Sequence, residues 1–374
     1  MNSQEGARWR NLVGLVSRPR PVVAATPADV LYAENKWRLL RYRSTSRRFA
    51  TPILLVPSLI NRHYVLDLMP GKSFVEFLIG CGHDVLIIDW GTPTAEDRFV
   101  TFDDVCGQWL GRAIRKAAAL SPRNQTHVLG YCMGGTLAAA HVAVHKEHVA
   151  SLVALAAPVR FGAPGLLTSW TRAPDFDVPL LTEALGLVPW QLLQSAFQML
   201  RPTLGMAKVV NLYDRAWNDR FLDGFLALET WANDNVSLPG AFFRTWIEAV
   251  YREDALLRGN LTLQGQPVDL AAIECPTLAV VFEQDSIAPA ADCAALLEKI
   301  SSPDKGLEVV QGSHVGGVTS REASKTLWPL LSAWWAARDA APQQRAEPNA
   351  APQQAAAAPA APHKTRVARS KAGA

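Results

Sequence analysis

The chain has 374 residues, 49% hydrophobic and 19% charged, with a formal net charge of +3. That is enough apolar material for a large core, and the near-neutral balance gives no case for a nucleic-acid or strongly acidic partner. The five cysteines, Cys81, Cys106, Cys132, Cys275 and Cys293, are odd in number, scattered and without a Cys-x-x-Cys pair. This argues against a disulfide framework or a zinc site and for a reducing, cytoplasmic setting. No run of about 18 apolar residues offers a membrane span. The arginine-bearing N-terminus lacks the apolar stretch of a signal peptide.

Residues 1 to about 30 read as an irregular, proline-bearing arm lying on the domain. Residues 53–57 read as a buried strand that leads into a loop at 58–61. A helix is predicted over 71–81 and a second buried strand over 84–90. Residues 103–119 predict an amphipathic helix whose opening carboxylates suit the helix dipole. Residues 126–129 read as a strand, 136–145 as an Ala-rich helix and 151–155 as a further strand. Short apolar strands alternating with helices predict an α/β fold with a mostly parallel sheet covered on both faces.

The alternation stops between about 160 and 265, a stretch that holds Trp170, Trp190, Trp217, Trp231 and Trp246. It reads as a largely helical cap inserted into a catalytic domain of 31–338. Most of these rings read as core packing, and an apolar acyl channel over a site is the sharper alternative. The alternation resumes with a strand at 277–282, a helix at 290–300, a strand at 307–310 and a last helix at 329–338. Residues 339–374 are dominated by Ala, Pro and Gln and end with Lys364, Arg366, Arg369 and Lys371. Such a segment buries too little apolar area to fold. It predicts a disordered solubilising tail, or a weak contact with an anionic surface.

The most informative motif is Gly130-Tyr131-Cys132-Met133-Gly134-Gly135. It reads as a nucleophile elbow, a sharp turn between strand and helix with cysteine where serine usually stands. Small residues flank the turn so that backbones pack closely while the central side chain stands above the sheet. A thiolate is a stronger nucleophile and a better leaving group than an alkoxide. It suits chemistry in which an acyl group is held as a thioester and passed on.

In this fold the chain order is nucleophile, acid, histidine. The acid belongs to the loop 283–289, where Asp285 is the first choice and Glu283 the fallback; Asp292 reads as part of the following helix. Only His314 and His363 lie beyond Asp285, and His363 falls in the tail. His314, in the glycine-rich loop 311–317, is the expected base. The oxyanion needs two backbone donors. Met133 supplies one, and the loop after 53–56 supplies the other, with Leu59 ahead of Ile60. His141 and His145 share a helix face without a third ligand and read as surface residues. His127 reads as structural, and His63 lies near enough to the 58–61 loop to approach the site. No Gly-x-Gly-x-x-Gly, phosphate-binding loop or metal cluster is present, so no cofactor is implied.

Several segments together resemble the polyhydroxyalkanoate synthases. They are residues 57–68, residues 84–91, the cysteine elbow, and Trp231-Ala232-Asn233-Asp234 with Pro239-Gly240. Tyr251, residues 256–259 and 268–270, and the loops around Asp285 and His314 complete the set. The resemblance covers about residues 30 to 337. It implies the α/β-hydrolase fold and polymerisation of (R)-3-hydroxyacyl-CoA, with 3-hydroxybutyryl-CoA the expected substrate, into a polyester with release of coenzyme A. Coenzyme A then enters with the substrate and is no cofactor.

The resemblance also implies roles. Cys132 carries the acyl chain, His314 activates the thiol and the attacking hydroxyl, and Asp285 orients His314 and helps activate that hydroxyl. The short N-terminal arm resembles the two-component, class III-like synthases. This implies a homodimer, a second noncatalytic subunit, and action at the surface of a polyester granule. The chain departs from the family at Ser313, where glycine is frequent, and in the tail. A thioesterase or polyester depolymerase on the same triad is the nearest alternative. A noncatalytic granule-associated protein is the next, and the intact Cys132, Asp285 and His314 argue against it.

Overall fold

The computed structural model describes residues 3–162 and 164–339; of the tail expected at 339–374, Asp339 instead closes the last helix, and the rest lies outside the described residues. Eight strands form the central sheet: β1 (Ala28–Glu34), β2 (Trp37–Tyr42), β3 (Ile53–Val56), β4 (Val85–Asp89), β5 (Thr126–Tyr131), β6 (Val149–Leu155), β7 (Thr277–Phe282) and β8 (Lys305–Val310). Their spatial order is β1-β2-β4-β3-β5-β6-β7-β8. Strands β3 to β8 run parallel, and β2 is antiparallel to both its neighbours. The expected α/β-hydrolase architecture is borne out.

The sequence of the inner strands follows from their position. Every residue of β3, β4, β5 and β7 is buried, so these strands are nearly continuous apolar runs. Alternate side chains serve opposite faces. Leu54 and Val56 of β3 join Leu110, Ala113 and Leu137 from the helices Leu110–Ala118 and Met133–Val144. Ile53 and Leu55 join Phe74, Leu78, Leu331 and Trp335 from the helices Phe74–Gly80 and Leu327–Asp339 on the other face.

The cap contains the helices Leu166–Thr171, Val178–Leu185, Trp190–Met199, Leu204–Arg215, Asp219–Ala232 and Gly240–Thr245, the last continuing into a π turn, Trp246–Arg252. Core packing describes Trp231 and Trp246 but not the exposed Trp217.

Four differences from expectation have local causes. The β1–β2 hairpin was not anticipated, because β1 is an edge strand with no buried residue and lacks a buried-strand pattern. The N-terminal arm is not irregular throughout, since Ser3–Val13 is helical. It rests on the cap, where Asn11 donates to the Ala216 carbonyl (2.8 Å) and Arg18 to Asp219 (2.9 Å) and Asp223 (2.8 Å). The helix expected from 103 opens as a π turn, Asp103–Trp109. His141 is buried rather than on the surface. Its ring packs over Gly111, where a side chain would intrude, and its Nδ1 bonds the Cys106 carbonyl at 2.7 Å. Burial pushes its pKa down to about 4.

Candidate active site

Strand β5 ends at Tyr131, and the helix Met133–Val144 starts directly after Cys132. Cys132 has φ 56° and ψ −129°, a backbone region that non-glycine residues rarely occupy. The surroundings hold it there. Its amide donates to the Leu155 carbonyl at 2.9 Å, and its carbonyl accepts from Gly135 at 2.9 Å. Neither flanking glycine has room for a side chain. A Cβ on Gly134 would lie 2.1 Å from the Val56 carbonyl oxygen, and one on Gly130 would lie 2.3 Å from the Gly135 Cα.

The acid loop leaves β7 at Phe282. Asp285 Oδ1 accepts the amides of Ile287 and Ala288, each at 2.9 Å. These bonds fix the carboxylate, and Oδ2 accepts a hydrogen bond from His314 Nδ1 at 2.6 Å. Glu283 accepts from Gln311 instead (3.0 Å), and Asp292 pairs with Arg160 (3.0 Å). Geometry therefore separates the first choice from the fallback.

The histidine loop follows β8 and is tied to its neighbours. The Gln284 amide donates to the Gly312 carbonyl at 3.1 Å. Tyr131, the residue before the nucleophile, donates its hydroxyl to the His314 carbonyl at 3.0 Å and stacks on the imidazole with centroids 5.3 Å apart. The Cys132 side chain hydrogen-bonds with the same ring. Burial works against a charged imidazole here. The Cys132 sulfur, by charge and hydrogen bonding, and the Asp285 carboxylate outweigh it and raise His314 to about 10. The site thus favours a protonated imidazole beside the Cys132 sulfur, an arrangement suited to a cysteine nucleophile.

The Met133 amide opens a helix and lies directly after the nucleophile. Across from it, Leu59 and Ile60 are buried in the loop after β3. Trp90 steadies that loop by donating to the Pro57 carbonyl at 2.9 Å. The Ile60 amide is already taken by Ser58 Oγ at 3.3 Å. His63 lies against Asp89, 3.5 Å away. A cavity of about 370 Å3 starts at Ile60 and Met133 and runs into the cap past Trp170, Phe197, Phe243 and Trp246. Its lining is almost wholly apolar, and Tyr251 stands in its wall.

Sequence reasoning missed a polar clasp between the oxyanion-side loop and the cap. Asn61 donates to Asn235 at 2.5 Å, and the Val236 amide donates to the Ile60 carbonyl at 2.9 Å. Asp234 accepts from Arg62 Nε (3.0 Å) and from the Tyr64 hydroxyl (2.8 Å). Trp231 Nε1 donates to the Arg62 carbonyl at 2.9 Å. Two of the motifs that carry the family resemblance, around 61–68 and 231–240, therefore grip each other. Paired motif strings were the available signal, but strings do not say that they touch.

Comparison with known proteins is consistent with this geometry. Residues 21–78 match the family model described as the N-terminus of poly-beta-hydroxybutyrate polymerase (PhaC), and residues 51–319 match the alpha/beta hydrolase fold. The chain is 35% identical to the poly(3-hydroxyalkanoate) polymerase subunit PhaC of Haloferax mediterranei, over 84% of this chain and 65% of that one. It is 32% identical to the subunit of the same name from Allochromatium vinosum, over 83% of this chain and 88% of that one. Among solved structures, a soluble variant of monoglyceride lipase from Saccharomyces cerevisiae superposes with a TM-score of 0.56 at 13% identity, covering 86% of this chain and 99% of the lipase. That likeness concerns the fold alone.

Proposed function

Because the chain belongs to the poly(3-hydroxyalkanoate) polymerase family, acyltransferases built on the α/β-hydrolase fold, we propose that it polymerises (R)-3-hydroxyacyl-CoA on Cys132. The observation that carries this reading is the linked Cys132, His314 and Asp285 beside an apolar cavity that begins at the neighbouring Met133.

The Cys132 thiol passes its proton to His314, and the thiolate attacks the thioester carbonyl of the substrate. The amides of Met133 and Leu59 receive the oxyanion; Leu59 is preferred because Ser58 occupies the Ile60 amide. The C–S bond to coenzyme A breaks, and the departing thiolate takes the proton back from His314. The acyl group now rests on Cys132. The hydroxyl of a further 3-hydroxyacyl unit then attacks it, giving its proton to His314 as an ester forms and the Cys132–acyl bond breaks. Asp285 holds His314 in the orientation both steps need and assists the hydroxyl. Exchange between thioesters is nearly balanced, whereas transfer onto an alcohol runs downhill. The apolar cavity wall limits water as a competing acceptor.

The substrate we favour is 3-hydroxybutyryl-CoA. The protein works at the surface of its polyester granule in the cytoplasm, as a homodimer with a second noncatalytic subunit. The likeness to the Allochromatium vinosum polymerase, which is named a subunit, supports the last of these. A thioesterase or depolymerase would use the same triad with water.

The test is to incubate the purified chain with (R)-3-hydroxybutyryl-CoA, follow thiol release and identify the product. Insoluble polyester is expected, and Cys132→Ala should lower turnover by on the order of 10⁴-fold with folding intact. Free 3-hydroxybutyrate as the product would establish a hydrolase instead. Retained acyl transfer in Cys132→Ala would overturn the mechanism, and inactivity even with the second subunit added would favour a noncatalytic protein.

A further inference from the structure

The helix Leu204–Arg215 is built inside out. It has no buried residue, and its least exposed positions are Lys208 and Leu212, one turn apart. Lys208 points inward to Glu229 of the helix Asp219–Ala232, with the ammonium 2.6 Å from the carboxylate. Met206, Val209 and Val210 are turned to solvent, Met206 at 73% exposure. A surface helix normally does the reverse, burying its apolar stripe and exposing its lysines. A contiguous exposed apolar area of this kind marks an interaction site.

A second observation says what that site meets. On the preceding helix, Trp190–Met199, residues Leu192, Ser195 and Met199 follow one another at helical spacing on one stripe. All three line the cavity that begins at Met133, and all three also reach solvent. The cavity therefore opens along this stripe, and its rim is apolar apart from Ser195, whose hydroxyl is satisfied by the Gln191 carbonyl at 2.8 Å. Only the short turn 200–203 separates Met199 from Leu204. The cavity that starts beside Cys132 thus leads to an apolar rim, and the outer face of the Leu204–Arg215 helix follows directly across a turn that carries the exposed Arg201.

We propose that this rim and the neighbouring helix face are the path of the growing polyester. The chain leaves the cavity between Leu192 and Met199, and the accumulated polymer docks on the face formed by Met206, Val209 and Val210. The occupant follows from the path. A segment that emerges from an apolar cavity must itself be apolar, and an aliphatic polyester has methyl and methylene groups to lay on such a face and no charge that would need a partner there. Lys208 is turned toward Glu229 on the neighbouring helix, so its ammonium is paired and not directed out from the face. The proposal rests on the polymerase reading of Cys132, but the docking face can be tested without turnover.

The probe is a suspension of preformed amorphous poly(3-hydroxybutyrate) particles, mixed with the full chain carrying Cys132→Ala and sedimented. The inactive chain is expected to bind, and the further substitutions Met206→Lys and Val210→Lys should lower the bound fraction roughly tenfold or more, with an unchanged circular dichroism spectrum. Equal binding with and without the two lysines would overturn the docking face, whatever the fate of the catalytic reading. So would a face that proves to serve self-association, seen as a dimer that the two lysines turn into a monomer while particle binding persists. The same holds if the lysines abolish only binding of the second subunit.

The exit is tested in the active chain. Met199→Trp crowds the rim and should stall coenzyme A release after the first few turnovers, leaving short products. Polymer of parental length from that variant would place the exit elsewhere. A parent chain that forms no polymer, yet binds the particles through this face, would sink the polymerase reading and the exit with it but leave the docking face standing.

Discussion

Around Cys132 backbone meets backbone, with a Cβ on Gly134 only 2.1 Å from the Val56 carbonyl oxygen. In the cap helix Leu204–Arg215, nothing lies within 4 Å of the same imagined atom on Gly205, and no residue of the helix is buried. The first region fixes its atoms by close approach and by bonds between loops. The second is attached through the Lys208–Glu229 pair and the N-terminal arm, where Arg8 donates to the Asp214 carbonyl and Trp9 packs against Tyr213. The difference matches the two demands of the reaction. The proton transfer proposed between Cys132 and His314 tolerates little displacement, whereas a cavity that receives a lengthening chain must yield.

Substitution at these two glycines would break the comparison most directly. Gly134→Ala forces the elbow apart and should cost on the order of 3 kcal/mol with loss of turnover. Urea denaturation and a thiol-release assay would show it, and a midpoint and rate near those of the parent would refute the close-packed reading of the elbow.

Acid should next strike the sheet body in preference to the cap. His83 and His127 are buried there, and burial lowers each pKa to about 4 from an ordinary 6.5. The cap stretch 160–265 contains no histidine. Below pH 6.5 the unfolded chain takes up protons that the folded chain refuses until about pH 4, so stability falls as pH drops through that window. The loss approaches about 3 kcal/mol per ring at the lower end. Denaturation midpoints measured from pH 7 to pH 4.5 should decline accordingly, and His127→Gln should flatten the slope. A flat profile in the parent would mean that these rings are not held neutral.

The smallest expected effect has the opposite sign. Gly205→Ala should raise stability by about 0.5–1 kcal/mol, since the methyl meets no neighbour and the helix gains a better former. Destabilisation there would show that the cap face is more tightly covered than its exposure indicates.

How much of this was legible in the sequence depended on range. The inner strands announced themselves because a strand buried on both faces must be apolar throughout. Asp285 and His314 were reachable because chain order left almost no other candidates, and the distinction from Glu283 needed the two amides of Ile287 and Ala288 to be seen. The clasp was not legible, because Asn61 and Asn235 lie 174 residues apart and a polar pair leaves no periodic trace. His141 misled for a related reason: two histidines one turn apart suggest a wet face, and only the space above Gly111 on another helix reveals the buried ring. The helix Leu204–Arg215 shows the limit of amphipathic reasoning. Its pattern gives a stripe but not which side of it meets solvent.

The hydroxyl of Tyr131 on the His314 carbonyl has one further consequence. It rivets the proposed base to the strand that delivers the proposed nucleophile, so Cys132 and His314 are brought together without help from the cap. Most of the wall that sorts acyl groups by size comes from the cap instead. Reactivity and selectivity are therefore inherited largely from separate stretches of the gene, and a library confined to codons 166–199 would explore which monomers are taken while leaving the clasp and the residues proposed to join them untouched.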